Sequence, residues 1–455
     1  MKKLLIILGC LSIAQTVYGL DIVYPNYNAV TIAAPSSFFI GSANTDKPLT
    51  INGNTVPVHP SGGFAYVVPL SIGKNTFKIK SGTEELNYVI MKPPAPPAGT
   101  YKAPELKEFE NLKYALVTND KSPLRSTPVD SGINRIAHLQ KNMPLVIDGE
   151  KGNFYRVILG SQKTGWIWKG NVKLEESGES LAELKGYDYI DSDEFFIFVF
   201  HLDKMTPFEL VESSPFLIKF YNVKNYPDNT YVMDFPVEKS MQKGKLLGYS
   251  GQFSGTDFIL KIRKPVITDE KEPLKNIRIA VDAGHGGSER GTTGCLGDRE
   301  KDVMLEYAKL LEHELKKRGA DVIMTRKGDD YKDLNERVEL ANSENALFFI
   351  SLHGNALPDG KDPNAHSGTG IYYYYNQAKP LADDIIKEMT SQLGMKNDKV
   401  RQQSFAVVRN TNALSILIEI GYMINPSDNA KMINKDFQKK TAKAIADGIE
   451  NFLKN

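Results

Sequence analysis

The sequence predicts a multidomain protein in which an α/β domain follows a long all-β region. Three observations predict it. From residue 276 onward, apolar runs of strand length alternate with segments of helical periodicity. From about residue 20 to 265, short runs of alternating apolar and polar residues are separated by turn residues. Two linkers, one rich in proline and one rich in charge, divide the chain into units of ordinary domain size.

The N-terminus has the composition of an export signal. Residues 1–19 combine Lys2 and Lys3 with a short apolar core and end on the small residue Gly19. The apolar run is shorter than the roughly twenty residues that a membrane-spanning helix needs. We therefore expect a signal peptide over 1–19, no membrane span, and an exported protein that resides in a periplasm, in a cell wall or outside the cell.

The composition narrows the classes of partner. The chain has 56 Lys and Arg against 55 Asp and Glu, and its net charge of +1 gives no electrostatic case for nucleic acid or an anionic membrane as the main partner. Of the 2 cysteines in 455 residues, only Cys295 remains once the signal is removed, so no intramolecular disulfide can form. Packed hydrophobic cores must stabilise the domains. The sequence carries no signal for an oligomeric state.

The all-β region divides into three units. Residues 20–91 show short strands and regularly spaced turn signals, and they resemble the Ig-like modules of bacterial surface enzymes. A proline-rich linker over 92–111 precedes residues 112–176, which resemble a bacterial SH3-like module. Residues 177–265 predict a third small β-sandwich. A charged linker over 266–275 then leads into the α/β domain of residues 276–455.

The α/β domain shows strand and helix signals in alternation. Its roughly 180 residues suffice for one hydrophobic core. Apolar, β-branched runs predict strands, and apolar residues at helical spacing predict helices. The predicted strands cover 277–281, 320–325, 346–352, 371–375, 405–409 and 415–420, and the predicted helices cover about 300–319, 334–342, 378–393 and a segment ending near Leu453.

Four residues at strand ends and at a helix start are expected to face one cleft. His285 follows the first strand in a glycine-rich turn, His353 follows the strand over 346–352, and Glu300 begins the first helix. Two imidazoles and one carboxylate form a typical ligand set for catalytic zinc, with a fourth position left open. Glu419 lies in an otherwise apolar strand, where a carboxylate needs compensation such as a nearby metal ion. It is the candidate general base.

Other acidic residues compete for the role of third ligand. Asp298 and Asp302 lie close to Glu300 in the sequence, and Glu289 lies nearer His285 than Glu300 does. Asp302 should face away, because it lies two residues further round the helix. Asp282 is expected to support the site without binding the metal ion. The sequence contains no H-E-x-x-H, which excludes a zincin protease, and no G-x-S-x-G.

Four segments in this region carry a specific resemblance. They are A-V-D-A-G-H-G-G at 280–287, G-D-R-E-K-D-V-M-L at 297–305, F-I-S-L-H-G-N-A at 349–356 and L-I-E-I-G-Y-M-I-N-P at 417–426. Together and in this order they resemble the zinc-dependent N-acetylmuramoyl-L-alanine amidases of bacterial cell walls. The resemblance covers about residues 275–455.

The resemblance implies a fold, a cofactor and a reaction. The fold would be a mixed sheet flanked by helices, similar to that of zinc exopeptidases. His285, Glu300 and His353 would bind zinc, and Glu419 would be the catalytic acid/base. The enzyme would be a peptidoglycan hydrolase that uses zinc-activated water to cleave the amide bond between N-acetylmuramic acid and L-alanine of the stem peptide.

Two alternative functions and one structural alternative stay open. The enzyme could be a zinc carboxypeptidase of the stem peptide, or the chain could act chiefly as a wall-binding scaffold, since more than half of it is β modules. Trp166 and Trp168 lie at period two in one predicted strand. They form either a stacking platform for sugar rings or stem peptides, or part of a small core. We expect the β modules to direct the protein to the wall.

The connection after His353 bears on regulation. Some members of the family that is resembled carry a long helical insertion there, which blocks the zinc ion. Here residues 357–368 are few and rich in turn residues, a composition that does not build a helix. The sequence therefore predicts no plug over the cleft and an enzyme that is active without an activator.

Overall fold

The computed structural model describes residues 19–96, 102–179, 181–235 and 244–454. It contains an α/β domain with a mixed sheet, which follows a large β-rich region. Nearly all of the predicted signal peptide (residues 1–18) and part of the proline-rich linker (residues 97–101) lie outside the described residues. No helix within the described ranges combines the length and the apolar content that crossing a bilayer requires.

The first β unit, residues 21–92, consists of two sheets that share one core. A sheet of 3 strands has the order β1-β3-β6 and a sheet of 5 strands has the order β2-β8-β7-β4-β5. Alternate residues of both sheets point inward, as Phe39 and Ile79 do, and they form a single hydrophobic cluster. The strands are β1 Asp21–Tyr24, β2 Val30–Thr31, β3 Ser36–Ser42, β4 Leu49–Ile51, β5 Asn54–Val56, β6 Gly63–Pro69, β7 Gly73–Ser81 and β8 Glu84–Lys92.

The second β unit, residues 107–175, is one sheet of 7 strands in the order β11-β10-β14-β13-β12-β9-β15. Its first strand begins at Lys107, inside the segment for which the sequence predicted linker. The strands are β9 Lys107–Val117, β10 Ser122–Arg125, β11 Arg135–Leu139, β12 Pro144–Lys151, β13 Phe154–Ile158, β14 Thr164–Trp168 and β15 Val172–Glu175.

The third β unit, residues 184–263, contains a sheet of 4 strands, β16-β17-β22-β21, and a sheet of 3 strands, β18-β19-β20. Its core is continuous with that of the second unit, because one hydrophobic cluster extends from Ala115 in β9 to Ile262 in the last strand. The two units are therefore joined by packing as well as by the chain. The strands are β16 Leu184–Asp191, β17 Phe195–Leu202, β18 Phe208–Val211, β19 Phe216–Tyr221, β20 Thr230–Phe235, β21 Tyr249–Ser254 and β22 Asp257–Arg263.

The α/β domain is built on a sheet of 6 strands in the order β24-β23-β25-β28-β26-β27. All neighbouring strands are parallel except β26 and β28, which are antiparallel, so the predicted mixed sheet is confirmed. The strands are β23 Arg278–Ala283, β24 Asp321–Met324, β25 Phe348–Asn355, β26 Thr369–Tyr373, β27 Asn397–Gln402 and β28 Leu414–Tyr422; the helices are α1 Glu300–Lys317, α2 Leu334–Ser343, α3 Lys379–Leu393, α4 Pro426–Met432 and α5 Lys435–Lys454.

Helices cover both faces of this sheet. On one face, Val281 and Ile350 of the central strands pack against apolar residues of α1, α3 and α5. On the other face, Ala280 and Phe349 pack against Ala341 of α2. Because successive strand residues point to opposite faces, continuous apolar runs are needed to fill both layers, and these runs gave the strand predictions.

One predicted strand is wrong. Residues 405–409 do not join the sheet; Ala406–Val408 form a turn of 3-10 helix, with Val407 and Val408 buried beneath α2. The sheet instead takes Asn397–Gln402 as its edge strand β27. A strand at the edge pairs on one side only and is partly exposed, so it needs no apolar run and gives little sequence signal.

The predicted start of α2 agrees with the structure, in which Asp333 caps the N-terminus of this helix.

The first β unit packs against loops at the carboxyl end of the α/β sheet, a contact that the sequence did not predict. Phe38, Ile40 and Ala65 form one buried cluster with Cys295 and Ile424, and we call these five residues the docking cluster. Apolar side chains of two different units are thereby removed from water together, which stabilises the contact.

Hydrogen bonds at the edge of the docking cluster involve the loop after His353. Tyr24 and Ser37 donate their hydroxyl groups to the Asp359 carboxylate at 2.7 Å each, and Asn364 Nδ2 donates to the Ala65 carbonyl at 3.0 Å. Within this loop the structure has a single 3-10 turn, Pro363–Ala365, in agreement with the predicted absence of a helical plug. The loop is held from outside by the first β unit.

We predict that Phe38→Asp separates the first β unit from the α/β domain. Burying this side chain stabilises the contact by roughly 1.5–3 kcal/mol, and an aspartate there would be a buried charge. Because Cys295 is fully buried in the docking cluster, its rate of reaction with a thiol reagent should rise at least about tenfold. Ile72→Asp, at an exposed position of the same unit, should leave the rate as in the parent protein. Equal rates in all three proteins would contradict the docking.

Candidate metal centre

The turn that carries His285 is fixed by a buried arginine of α2. Arg337 donates from Nη2 to the His285 carbonyl at 2.8 Å and from Nη1 to the Ala283 carbonyl at 2.8 Å. The same Nη1 lies 2.7 Å from Oδ1 of Asp282, with both side chains almost fully buried. Arg326 also donates to the Ala283 carbonyl, at 2.9 Å. His285 has a left-handed φ of 61°, a conformation that needs such support in a residue other than glycine.

Glycines allow the two histidine rings to approach. A Cβ at position 284 would overlap the His353 ring, and one at position 291 would overlap both Glu300 and His285. Gly291 also has a φ of 66°, in the left-handed region that glycine adopts at low cost. The glycine-rich turn is therefore required by the packing of the site itself.

Glu300 is the first residue of α1, and only 3% of its surface is exposed. Oε1 accepts the Gly354 N–H at 3.0 Å, and Oε2 accepts the Thr292 N–H at 2.8 Å. The same Oε1 lies 3.1 Å from His285 Nε2 and 3.0 Å from His353 Nδ1. A helix N-terminus favours a negative charge, so both the helix and the backbone amides hold this carboxylate.

The structure brings His285, Glu300 and His353 together as a possible metal centre. One ligand atom from each lies within 4.8 Å of the other two, and the two imidazole rings are 5.0 Å apart at an interplanar angle of 77°. Burial alone would raise the pKa of the Glu300 carboxyl, but hydrogen bonds from both histidines hold it well below its usual range. Burial would lower the pKa of His353, and Glu300 outweighs this effect and raises it. A metal ion would replace the protons that these groups share.

Glu419 lies beside this centre. It pairs in register with His353 across the parallel strands β25 and β28. Its Oε2 atom is buried and has no hydrogen-bond partner in the described part of the chain. Burial raises the pKa of the Glu419 carboxyl to about 8, although His353 opposes the shift. An unpartnered buried oxygen at this position fits a group that acts on a ligand of the centre.

The acidic residues that competed with Glu300 in the sequence lie elsewhere. Oδ2 of Asp298 accepts from Asn429 Nδ2 at 2.8 Å, and burial raises the pKa of the Asp298 carboxyl. Asp302 is partly exposed and pairs with Arg299 at 2.7 Å, and Glu289 is exposed. None of the three belongs to the cluster of possible ligands.

Asp282 supports the site, as the sequence suggested. Its carboxylate accepts from Thr325 and Ser351, each at 2.6 Å, and from Arg337. Burial would raise the pKa of Asp282, but the charge of Arg337 and these hydrogen bonds keep it below its usual range. Sequence reasoning missed Arg337 itself. The available signal was its position four residues before Ala341, which places this arginine on the apolar face of α2.

The two tryptophans do not form a platform of two exposed rings. Trp166 is buried, whereas Trp168 at the end of the same strand is 49% exposed. Ile167 between them points into the core of the second β unit. A stacking role is therefore open to Trp168 alone.

Comparisons with known proteins concern the α/β domain. The family profile described as N-acetylmuramoyl-L-alanine amidase matches residues 279–451. The chain is 32% identical over 185 residues to the uncharacterized protein YqiI of Bacillus subtilis, which covers 40% of this chain and 87% of that one. It is 33% identical over 188 residues to the probable cell wall amidase LytH of Staphylococcus aureus, which covers 41% of this chain and 62% of LytH. The match thus spans less than two thirds of LytH.

Solved structures give a similar result. The N-acetylmuramoyl-L-alanine amidase AmiC2 of Nostoc punctiforme is 32% identical, with 42% of this chain and 100% of that chain covered and a TM-score of 0.38. An N-acetylmuramoyl-L-alanine amidase from Clostridium difficile 630 is 31% identical, with 40% and 98% covered and a TM-score of 0.38.

We predict that Arg337→Lys weakens metal binding. Lysine keeps a positive charge beside Asp282, but its single nitrogen cannot reach acceptors that now bind two different nitrogens of the guanidinium group, so the His285 turn loses support. Loss of such a supporting contact typically costs about 10–100-fold in metal affinity. Competition titration of the metal-free protein with a chelator measures the change. Arg299→Lys, at an exposed ion pair, is the control. An unchanged affinity in Arg337→Lys, with a native circular dichroism spectrum, would contradict this role.

We predict a pH-dependent stability of the metal-free protein that depends on Glu419. Because its pKa is raised from 4.5 to about 8 in the folded state, the folded protein retains a proton that the unfolded chain loses. The free energy of unfolding should therefore fall as the pH rises from about 4.5 to about 8. Urea unfolding in the presence of a chelator at pH 5 and pH 8 should show this loss.

Glu419→Gln should remove this part of the pH dependence, since glutamine does not titrate. Glu289→Gln, which removes an exposed carboxylate after the turn that carries His285, should retain the pH dependence. The prediction fails if Glu419→Gln and the parent protein lose the same free energy of unfolding between the two pH values.

Proposed function

Because this chain belongs to the N-acetylmuramoyl-L-alanine amidase family, we propose that its α/β domain hydrolyses the amide bond between N-acetylmuramic acid and L-alanine of peptidoglycan with a zinc ion held by His285, Glu300 and His353. The observation that carries the zinc site is the convergence of these three side chains, whose ligand atoms lie within 4.8 Å of one another. Peptidoglycan is the substrate and partner that follows from the reaction.

The donor set fits zinc. Two imidazole nitrogens and one carboxylate oxygen are a common protein ligand set of catalytic zinc, and they leave one position for water or substrate. The ion, when bound, supplies Lewis acidity, which lowers the pKa of water and polarises an amide carbonyl. The carboxylate of Glu300 is already ionised by its surroundings, as a ligand must be.

Glu419 is the proposed acid/base. As a carboxylate it takes a proton from the attacking water, whose oxygen forms a bond to the amide carbon. It then gives the proton to the leaving nitrogen as the carbon–nitrogen bond breaks. A pKa near the working pH favours both transfers, and burial moves the pKa of Glu419 in that direction. The products are a carboxylic acid on the sugar and a free amine on L-alanine.

Three finer features of the protein belong to the same proposal. Residues 1–19 would export the chain to a periplasm or cell wall, where peptidoglycan is found. The three β units, Ig-like, SH3-like and β-sandwich in character, would hold the enzyme at the wall. The α/β domain would be similar to zinc exopeptidases. Two alternatives differ from the proposal. A zinc carboxypeptidase would release different products, and a wall-binding scaffold would release none.

We predict that Glu419→Gln retains zinc but loses hydrolysis. The amide keeps the size of the side chain and cannot accept the proton, so activity on purified sacculi should fall about 10²–10⁴-fold. Zinc content measured by elemental mass spectrometry should stay as in the parent protein. Asp302→Asn, which removes a partly exposed carboxylate from the first turn of α1, should keep both zinc and activity.

Mass analysis of the digest separates the alternatives. The parent enzyme should release stem peptides that begin with a free L-alanine and leave glycan without peptide. Shortened peptides that remain attached to sugar would identify a carboxypeptidase. The absence of any product from the zinc-loaded parent protein would favour the scaffold.

A further inference from the structure

A cavity of about 560 Å³ lies where the second and third β units meet the α/β domain. Its walls come from the loop before β10 and from β11 of the second unit, β21 of the third unit, one face of α2 and the loop over 406–412. This loop precedes β28, whereas Glu419 lies near the other end of that strand. Leu414 and Glu419 are five positions apart, which is roughly 16 Å of extended chain, so the cavity is separate from the metal centre.

Cationic side chains from both sides face this cavity. Lys121 and Arg135 come from the second β unit, and Arg409 comes from the α/β domain. Lys121 pairs with Glu339 at 2.7 Å. Across the described residues, neither arginine has a carboxylate oxygen within ion-pair distance, although both have hydrogen bonds of other kinds.

The contacts of the two arginines leave donors unused. Arg409 donates from Nη1 to the Ser404 carbonyl at 2.6 Å and to its hydroxyl at 3.3 Å. Arg135 donates from Nη1 to His138 Nε2 at 3.1 Å, and its Nε is buried without a partner in the described part of the chain. Guanidinium groups that are partly buried and lack a counter-charge cost free energy of folding.

The surrounding titratable groups do not cancel this charge. Burial lowers the pKa of Arg409, and the charge of Arg135 lowers it further. Burial lowers the pKa of His138 to about 4, and Arg135 and Arg409 add to that effect, so this imidazole is neutral and accepts a hydrogen bond from Arg135. Two acidic residues line the cavity. Glu339 forms an ion pair with Lys121, and Asp120 accepts a hydrogen bond from the backbone N–H of Lys141 at 2.9 Å.

We propose that this cavity binds an oxyanion, a phosphate or a carboxylate group, between Arg135 and Arg409. The planar fork of a guanidinium matches the oxygens of either group. The cavity volume is in the range of sites that hold a whole small ligand, so the anion would be one group of a larger molecule. For an exported wall enzyme, that molecule is either a phosphodiester polymer of the envelope or a stem peptide with free carboxylates. A ligand there would touch both the β region and the α/β domain.

The first experiment uses the full mature protein and inorganic phosphate. Phosphate should raise the midpoint of thermal unfolding with increasing concentration, compared with sodium chloride of equal ionic strength. Arg135→Gln and Arg409→Gln should each weaken phosphate binding at least about tenfold, as measured by isothermal titration, since each removes a charged pair of donors. Neither variant should lower the midpoint without phosphate, because each also relieves the repulsion between the two arginines. Arg409→Lys, which keeps the charge, should bind with intermediate affinity.

Lys173→Gln is the matched control. It removes one positive charge from the same β unit at a position that is largely exposed and lies outside the cavity. A general effect of phosphate on stability would be equal in all variants, whereas a site would be lost only in the arginine variants. The proposal is overturned if phosphate does not bind the parent protein, or if Arg135→Gln and Arg409→Gln bind it as the parent does. Neither outcome depends on whether the protein hydrolyses peptidoglycan.

A second experiment distinguishes the two sources of the anion. Co-sedimentation with sacculi is measured in a Glu419→Gln background, so that the sacculi stay intact, before and after their phosphodiester polymers are stripped. If binding to the sacculi requires Arg409 and is lost when the polymers are stripped, the anion is a phosphate group. If binding requires Arg409 and persists after stripping, the anion is a carboxylate group. If Arg409→Gln sediments as well as its parent with both preparations, the cavity has no part in wall binding and the proposed ligand is wrong.

Discussion

The carboxylate of Glu300 lies buried between two imidazoles and two backbone N–H groups, and much of the surrounding structure follows from the need to hold it there. An ionised carboxylate in such a place requires charge-assisted hydrogen bonds or a cation. The start of α1, the tight turn at Gly284 and the strand end at His353 all meet at this point. On the far side, Arg337 and Asp282 satisfy each other's charge and fix the carbonyls of the turn.

The same region is held from outside by the β-rich region. Cys295 lies between His285 and Glu300 in the chain, the Asp359 loop follows His353, and Ile424 follows Glu419. All three segments contact the first β unit. The loops that follow the site residues therefore pack against the first β unit. This unit contacts the α/β domain directly and is more than a spacer, and the loop after His353 is held by contacts across the domain boundary.

The fold was predictable where burial requires a regular pattern. The strands at 278–283, 348–355 and 414–422 are central and parallel, so they need apolar residues on both faces, and the sequence shows continuous apolar runs there. The edge strand β27 is polar, and the buried Val407 and Val408 lie outside the sheet, so the same reasoning placed a strand where a turn occurs. The shared core of the second and third β units was also missed, because apolar residues in a sequence do not say which neighbour they contact.

The sequence by itself determined the family to which the α/β domain belongs, most of the strands and helices of that domain, and which histidines and glutamates are candidates for its site. These follow from residue type and from periodicity, which are local properties. The tertiary structure showed that Glu300, which the resemblance implied, lies with the two histidines, whereas Asp298, Asp302 and Glu289 do not. It alone revealed the role of Arg337, the docking cluster and the cationic cavity at the junction of three units. Each of these depends on side chains that are far apart in sequence and meet only when the chain is folded, because contacts between distant segments leave no periodic signal in the sequence.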